Sequence, residues 1–165
     1  AKAMGARVIA CASSAEKLEL ARAHGADVLV NYAKEDLKTR LKQLTDGCGV
    51  DVVYDPVGGD LSEAALRATG WRGRHLVIGF AAGQIPKLPL NLVMLKGCDV
   101  LGVFWGDAIV REPEAHRDNM EQLLAWMREG RIRPHLHAVY PIEETARALR
   151  ELADRKVQGK VIIRP

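Results

Sequence analysis

The residues of this sequence best suited to chemistry are two serines and a lysine near its beginning, Ser13, Ser14 and Lys17. Two hydroxyls can donate hydrogen bonds and an ammonium group supplies positive charge, a combination that suits a phosphate group. The apolar run at 7–12 predicts a short buried strand, and the serines followed by Glu16 predict the start of a helix. A phosphate can therefore be bound where this strand ends and the helix begins.

The chemistry expected at this strand end depends on whether a carboxylate is present. In dinucleotide-binding folds an acidic residue after the second strand holds the ribose 2′-hydroxyl of NAD, whereas cations or hydroxyls receive the 2′-phosphate of NADP. Residues 11–14 read Cys-Ala-Ser-Ser, without a carboxylate, and Lys17 lies about one helical turn further on. The pattern favours NADP. A capped surface helix with one solvated lysine is the plainer interpretation, and this stretch taken alone favours it, because two serines before a helix are common; the pattern further along the chain shifts the balance toward a phosphate site.

The elements that would position these residues alternate between strands and helices along the chain. Apolar spacing and turn residues predict strands at 7–12, 27–32, 50–55, 74–79 and 98–105, with helices between them. Such alternation predicts an α/β fold with a doubly wound, mostly parallel sheet. Ligands of such sheets bind beyond the carboxyl ends of the strands. The ends expected to form one rim are Ser13, Tyr32, 57–59, 79–81 and 104–105.

The end of the chain has a different pattern. It predicts a long amphipathic helix at 113–130 and then two strands, 135–140 and 160–163, on either side of a final helix. His135 and His137, two apart on a strand, share one face. No third ligand is near them in the sequence, so we predict no metal site. His75, in the fourth predicted strand, is expected to be satisfied locally.

Composition excludes several classes of protein. A net charge of +3 and the absence of a basic run give no indication of nucleic-acid binding. No apolar stretch reaches the length needed to cross a bilayer, and the start lacks a signal-peptide pattern, which predicts a soluble, cytoplasmic protein. Three cysteines, far apart, indicate neither a disulfide framework nor a zinc site. Residues 1–4 look like the last turn of a helix, so the chain is expected to begin within an element.

Six motifs in sequence order carry a family resemblance. They are Ala-Ser-Ser-x-x-Lys at 12–17, Asn-Tyr at 31–32, Gly-Val-Asp-Val-Val-Tyr-Asp-Pro-Val-Gly-Gly at 49–59, Gly-Arg-His-Leu-Val-Ile-Gly-Phe at 73–80, Leu-Gly-Val-Phe-Trp-Gly at 101–106 and Gln-Gly-Lys-Val at 158–161. Together they resemble the quinone oxidoreductases of the medium-chain dehydrogenase/reductase superfamily, the zeta-crystallin branch. The resemblance covers nearly the whole chain. It implies an NADPH-dependent, zinc-independent reductase of quinones or other activated double bonds.

The resemblance also implies a domain organisation. Residues 1–133 would form an incomplete NADP-binding domain of the Rossmann type, whose first strand and glycine-rich loop would lie upstream of Ala1. Residues 134–165 would return to the catalytic domain, which is absent here. The missing strand would be central, so we expect either a gap in the sheet or another segment in its place.

Site residues follow from the same resemblance. Ser13, Ser14 and Lys17 would hold the 2′-phosphate of NADPH, and Tyr32 would pack against the adenine or its ribose. No residue is expected to act as an acid or base, because the nicotinamide supplies the hydride and the protein orients it. The residues expected along the rest of the cofactor are Gly59, Ile78, Gly79, Phe80, Val103, Phe104 and Trp105.

Two alternatives and one partner stay open at this point. The protein could be an enoyl-thioester reductase or alcohol dehydrogenase of the same superfamily, or a non-catalytic NADPH-binding protein with a structural or regulatory role. The free edge of residues 100–105, at the end of the predicted sheet, is expected to pair with its copy in a homodimer.

Overall fold

The structure is a computed structural model that describes residues 1–154 and 156–165. Three groups of parallel strands form its framework. The strands are β1 (Ile9–Ala12) beside β2 (Val28–Asn31); β3 (Val50–Asp55), β4 (Thr69–Val77) and β5 (Asp99–Gly102) in that order; and β6 (Leu136–Pro141) beside β7 (Lys160–Arg164). The helices are α1 (Ala15–Ala23), α2 (Leu37–Gln43), α3 (Asp60–Ala68), α4 (Leu90–Lys96), α5 (Trp105–Arg111), α6 (Pro113–Arg128) and α7 (Thr145–Ala153), with short 3-10 turns at Lys2–Met4 and Ile142–Glu144.

Side-chain caps fix where the first two helices begin. Ser14 is the N-cap of α1, and its Oγ accepts a hydrogen bond from the Lys17 amide at 3.4 Å. Asp36 caps α2 in the same way through the Thr39 amide at 2.8 Å. These bonds satisfy amides that have no partner within the helix, and α1 starts where the sequence predicts.

The buried core lies between the first two sheets and the helices that follow them. Val30 of β2 packs with Leu37 and Leu41 of α2 and with Ala65 and Ala68 of α3. Partly buried apolar side chains from β1 and β3 pack against the same cluster. The helices α2 and α3 therefore hold the two sheets together through side-chain packing.

The predicted α/β class with parallel strands is confirmed, but the strands do not form one sheet. In the described part of the chain, no hydrogen-bonded ladder joins β1–β2 to β3–β5. Of the two expected outcomes, a gap or a substitute segment, the structure shows the gap. The division at residue 133 stays a prediction; residues 136–164 contribute the separate pair β6–β7.

The predicted start of the fourth strand, residue 74, is wrong, because β4 begins at Thr69. Gly70 and Gly73 suggest a loop in the sequence, but in the structure they allow β4 to lie close to β3. A Cβ on Gly73 would lie 2.6 Å from Thr69 Cγ2 and 3.0 Å from the Val50 carbonyl oxygen. Only a residue without a side chain fits there, so these glycines belong to the strand.

The predicted end of the fifth strand, residue 105, is also wrong. The Val103 amide donates to the Val77 carbonyl oxygen at 2.9 Å, and β4 has ended at that point. Without a neighbouring strand to pair with, the chain leaves the sheet after Gly102 and Trp105 begins α5. Helix α5 has no signal in the sequence, since a glycine follows its first residue and no side chain caps it.

Candidate functional site

Three predicted site segments leave one edge of the three-stranded sheet side by side. The strand register pairs Asp55 with Val77 and Val77 with Gly102, so β3, β4 and β5 end level with one another. The Ile78 and Gly79 amides donate to the Asp55 carbonyl oxygen at 3.0 and 3.3 Å. The segments 56–59, 78–80 and 103–105 therefore form one rim, as predicted from the position of ligands in parallel sheets.

The other predicted residues lie at the corresponding end of the first sheet. Ala12 of β1 pairs with Asn31 of β2, and the Tyr32 amide donates to the Ala12 carbonyl oxygen at 3.2 Å. Ser13, which is exposed, and Tyr32, which is half-buried, thus follow neighbouring strand ends. The Lys17 side chain, half-buried on α1, forms no ion pair within residues 1–154 and 156–165.

A glycine turn between β3 and α3 brings backbone to the rim. Gly58 and Gly59 have φ angles of +73° and +63°, a region that side chains disfavour. A Cβ on Gly58 would lie 2.9 Å from Cδ1 of Phe80, and one on Gly59 would lie 3.4 Å from Cβ of Ala82. The Gly59 amide donates to the Gln84 carbonyl oxygen at 3.0 Å. This turn and the segment after β4 are therefore packed together.

Apolar side chains dominate the far end of the rim. Phe80, Phe104 and Trp105 are 40%, 78% and 63% exposed. Trp105, predicted to end a strand, instead starts α5, and its ring meets that of His116 edge to face at 5.9 Å between centroids. Exposed aromatic faces of this kind can cover a flat ring such as nicotinamide.

The structure adds a buried polar cluster beneath the glycine turn that the sequence analysis missed. Asp55 Oδ1 accepts the Val57 and Gly58 amides, each at 3.0 Å, while Oδ2 accepts the Ser62 hydroxyl and lies 3.3 Å from His75 Nε2. His75 was expected to be satisfied locally, but its partner lies twenty residues earlier in the chain. Two features of the sequence could have indicated this cluster. An aspartate before Pro-Val-Gly-Gly is typical of a turn in which the carboxylate accepts backbone amides two or three residues further on. Ser62 lies on the same buried face of α3 as Leu66.

Asp55 is ionised at neutral pH. Burial opposes its charge, but the Ser62 hydroxyl, the Gly58 and Val57 amides and the nearby His75 outweigh burial and lower the pKa of Asp55 below its ordinary value. An ionised carboxylate only accepts hydrogen bonds. To donate to this carboxylate, His75 must carry a proton on Nε2.

A cleft lies beside the rim and shares Gly59 with it. It has a volume of about 530 Å³ between the start of α2, the outer face of α3 and the 84–87 loop, and both acidic and basic side chains line it. Its mixed charge gives no preference for a phosphate, so we place the candidate site at the rim.

Parallel strands that end level, helices between them and a glycine turn at the strand ends define a Rossmann-like α/β protein. The chain belongs to the family described as zinc-binding dehydrogenases, whose model matches residues 1–129. Within residues 1–154 and 156–165, no group of three or more His, Cys, Asp or Glu side chains is arranged to hold a metal ion.

The similarity to quinone oxidoreductases is confirmed. The chain is 39% identical over 96% of its length to quinone oxidoreductase-like protein 2 of Bos taurus, of which it covers 45%. It superposes with a TM-score of 0.85 on the Escherichia coli quinone oxidoreductase complexed with NADPH, at 31% identity, covering 99% of this chain and 51% of that one. An NAD-dependent alcohol dehydrogenase gives the same TM-score at 33% identity, with coverages of 99% and 45%. The chain spans about half the length of the curated relatives it matches.

Among the helices of the described residues, none combines the length and the apolar character that a bilayer crossing requires.

Proposed function

We propose that this chain is the cofactor-binding part of an NADPH-dependent oxidoreductase that reduces quinones or other activated double bonds. The observation that carries the proposal is the rim of level strand ends, with Ser13, Ser14 and Lys17 beside the first sheet and apolar residues at the far end. The Escherichia coli quinone oxidoreductase complexed with NADPH supports this assignment, since the chain shares its fold along 99% of its length.

The rim divides into two functional ends. Ser13, Ser14 and Lys17 hold the 2′-phosphate, and Tyr32 packs against the adenine or its ribose. Backbone and small side chains at the glycine turn and after β4 follow the middle of the cofactor. At the nicotinamide end the contributing residues are Ile78, Gly79, Phe80, Val103, Phe104 and Trp105.

Nicotinamide supplies the hydride when the cofactor is bound. The side chains of this chain orient the cofactor and exclude water, and none of the described rim residues is assigned as an acid or base. The acceptor is a quinone or enone that approaches the nicotinamide beside Phe104 and Trp105. A cytoplasmic location and the division of the chain at residue 133 belong to the same proposal.

The proposal is tested by NADPH oxidation with the full-length natural protein. The acceptors are ortho-quinones, para-quinones, simple enones and an enoyl thioester, and alcohols are tested in the reverse direction with NADP⁺ and NAD⁺. Turnover of quinones or enones with NADPH is expected. Tight NADPH binding without turnover of any acceptor would replace this proposal with a non-catalytic, structural or regulatory role.

A second candidate function is an alcohol dehydrogenase, favoured by the similarity to the NAD-dependent enzyme. The absence of a carboxylate after β1 argues against NAD as its cofactor. This alternative would be correct if the full-length natural protein oxidised alcohols with NAD⁺ and reduced none of the quinones.

A further inference from the structure

We propose that Asp55, braced by Ser62 and His75, is a positioning residue that sets the geometry of the middle of the cofactor site. The role rests on the proposed function, because the segments that Asp55 holds are those assigned to the cofactor. Asp55 itself lies beneath the rim and is not assigned a contact with the cofactor.

Four backbone amides converge on this one residue. Its Oδ1 accepts the Val57 and Gly58 amides at 3.0 Å, and its carbonyl oxygen accepts the Ile78 and Gly79 amides at 3.0 and 3.3 Å. The first pair belongs to the glycine turn and the second to the segment after β4. Asp55 thus joins two of the three segments of the rim.

The second carboxylate oxygen is held from two other elements. The Ser62 hydroxyl on α3 donates to Oδ2, and His75 Nε2 on β4 lies 3.3 Å from it. Both side chains are 1% exposed. Because Asp55 is a carboxylate, His75 must donate from Nε2, which leaves Nδ1 as a buried acceptor without a hydrogen-bond partner among the described residues.

The hydrogen bonds of this cluster therefore require Asp55 to be a carboxylate and His75 to carry one proton, on Nε2. A protonated His75 would bury a second N–H, on Nδ1, with no acceptor. Glycines at positive φ have broad conformational freedom, so the turn at Gly58 and Gly59 needs an outside anchor to hold one geometry. Displacements of about an ångström are enough to slow a reaction that depends on orientation.

The first test is the tautomer of His75, read from ¹⁵N chemical shifts of the full-length natural protein at pH 7. We expect the neutral Nε2–H form. In Asp55→Asn the amide nitrogen can donate to His75 Nε2, so the proton is expected to move to Nδ1. Asp51→Asn, an exposed change on the same strand, is the matched control and should leave the tautomer unchanged. An Nδ1–H or doubly protonated His75 in the unaltered protein would overturn the bracing role.

The second test is cofactor binding and turnover in the same variants. Asp55→Asn is expected to weaken NADPH and NADH by the same factor, or to lower kcat, by about tenfold. The ratio of the two affinities should not change, since Lys17 and the serines are intact. His75→Gln keeps a donor toward Asp55 and should retain most of the activity that His75→Leu loses. This pair also tests the proposal if Asp55→Asn does not fold.

The outcomes separate this role from the proposed function. If the unaltered protein binds NADPH and a folded Asp55→Asn protein has the same affinity and kcat, the positioning role is wrong and the proposed function stands. Equal activity of His75→Gln and His75→Leu would also contradict the bracing role. If the unaltered protein binds no NADPH, the proposed function fails and this role fails with it.

Discussion

Lys17 is the residue on which cofactor preference depends in the proposed site. Its side chain is half-buried beside the Ser13–Ser14 turn and forms no ion pair within the described chain. We expect Lys17→Ala to weaken NADPH binding by about 1.5–3 kcal/mol, roughly 10- to 150-fold, because a charge-assisted contact to the 2′-phosphate is lost. NADH, which lacks that phosphate, should bind as before. Fluorescence titration of both cofactors measures the change.

Lys42→Ala is the control for this prediction. Lys42 is exposed in the last turn of α2, at the end that leads toward the start of β3 and away from the rim. It removes the same charge from the protein as a whole, so it should not alter the preference for NADPH. An equal loss of NADPH affinity in both variants would mean that net charge, rather than the Lys17 contact, sets the preference.

Asp55 also predicts how stability depends on pH. Its pKa is lower in the folded protein than in the unfolded chain, so its contribution is fully present above the unfolded value, about 3.9, and is lost as pH falls through the folded value. Urea unfolding between pH 5 and pH 2.5 should show stability decreasing with pH more steeply in the natural protein than in Asp55→Asn. Parallel curves for the two proteins would show that Asp55 is not the group responsible.

At the scale of elements, Gly73 shows how β4 fits against β3. A methyl group there would lie 2.6 Å from Thr69 Cγ2, whereas one on Gly102 in β5 of the same sheet has no neighbour within 4 Å. Gly73→Ala should therefore lower the free energy of unfolding by about 1–3 kcal/mol through overpacking. Gly102→Ala, the matched control, should cause no loss and can stabilise by about 0.4–1 kcal/mol through the unfolded state. Urea unfolding of both variants checks the difference, and equal losses would contradict it.

The elements that the sequence predicts well are those that local chemistry decides. The start of α1 follows from the Ser14 cap, and the end of β3 follows from an apolar run that meets Pro56. The start of β4 depends on its pairing with β3, and the end of β5 depends on its pairing with β4. The residues at these positions do not indicate where such pairing begins or ends. The polar cluster was missed for a similar reason, since Asp55, Ser62 and His75 are separated by seven and twenty residues and meet only in the folded chain.

At the scale of the molecule, the exposed surface is large. A compact monomer of 18.1 kDa is expected to expose about 8,100 Å². The chain exposes 11,428 Å², and the apolar side chains on this surface include Val100 and Leu101 of β5 as well as Phe104 and Trp105. Exposed apolar side chains on neighbouring segments are typical of faces that become covered in a larger assembly.

The free edge of β5 leads us to expect a twofold dimer of the full-length natural protein. The strand is Asp99–Gly102, so the pairing edge is shorter than the predicted 100–105. Because the Val103 amide points to β4, alternation directs the Val100 amide away from it. Val100→Pro should therefore keep the protomer folded but shift sedimentation from dimer to monomer.

The circular dichroism spectrum of Val100→Pro is the control for folding and should match that of the natural protein. A natural protein that sediments as a monomer at micromolar concentration would contradict the dimer. A Val100→Pro dimer of unchanged stability would place the contact elsewhere.

The gap between β1–β2 and β3–β5 has a thermal consequence for residues 1–165. In the part of the chain that the structure describes, no backbone ladder joins the two groups of strands, and their coupling depends on the side chains of α2 and α3. The two parts can therefore lose structure at different temperatures. Scanning calorimetry should then give a van't Hoff enthalpy smaller than the calorimetric enthalpy, and one sharp transition with equal enthalpies would show that helix packing alone makes the melting cooperative.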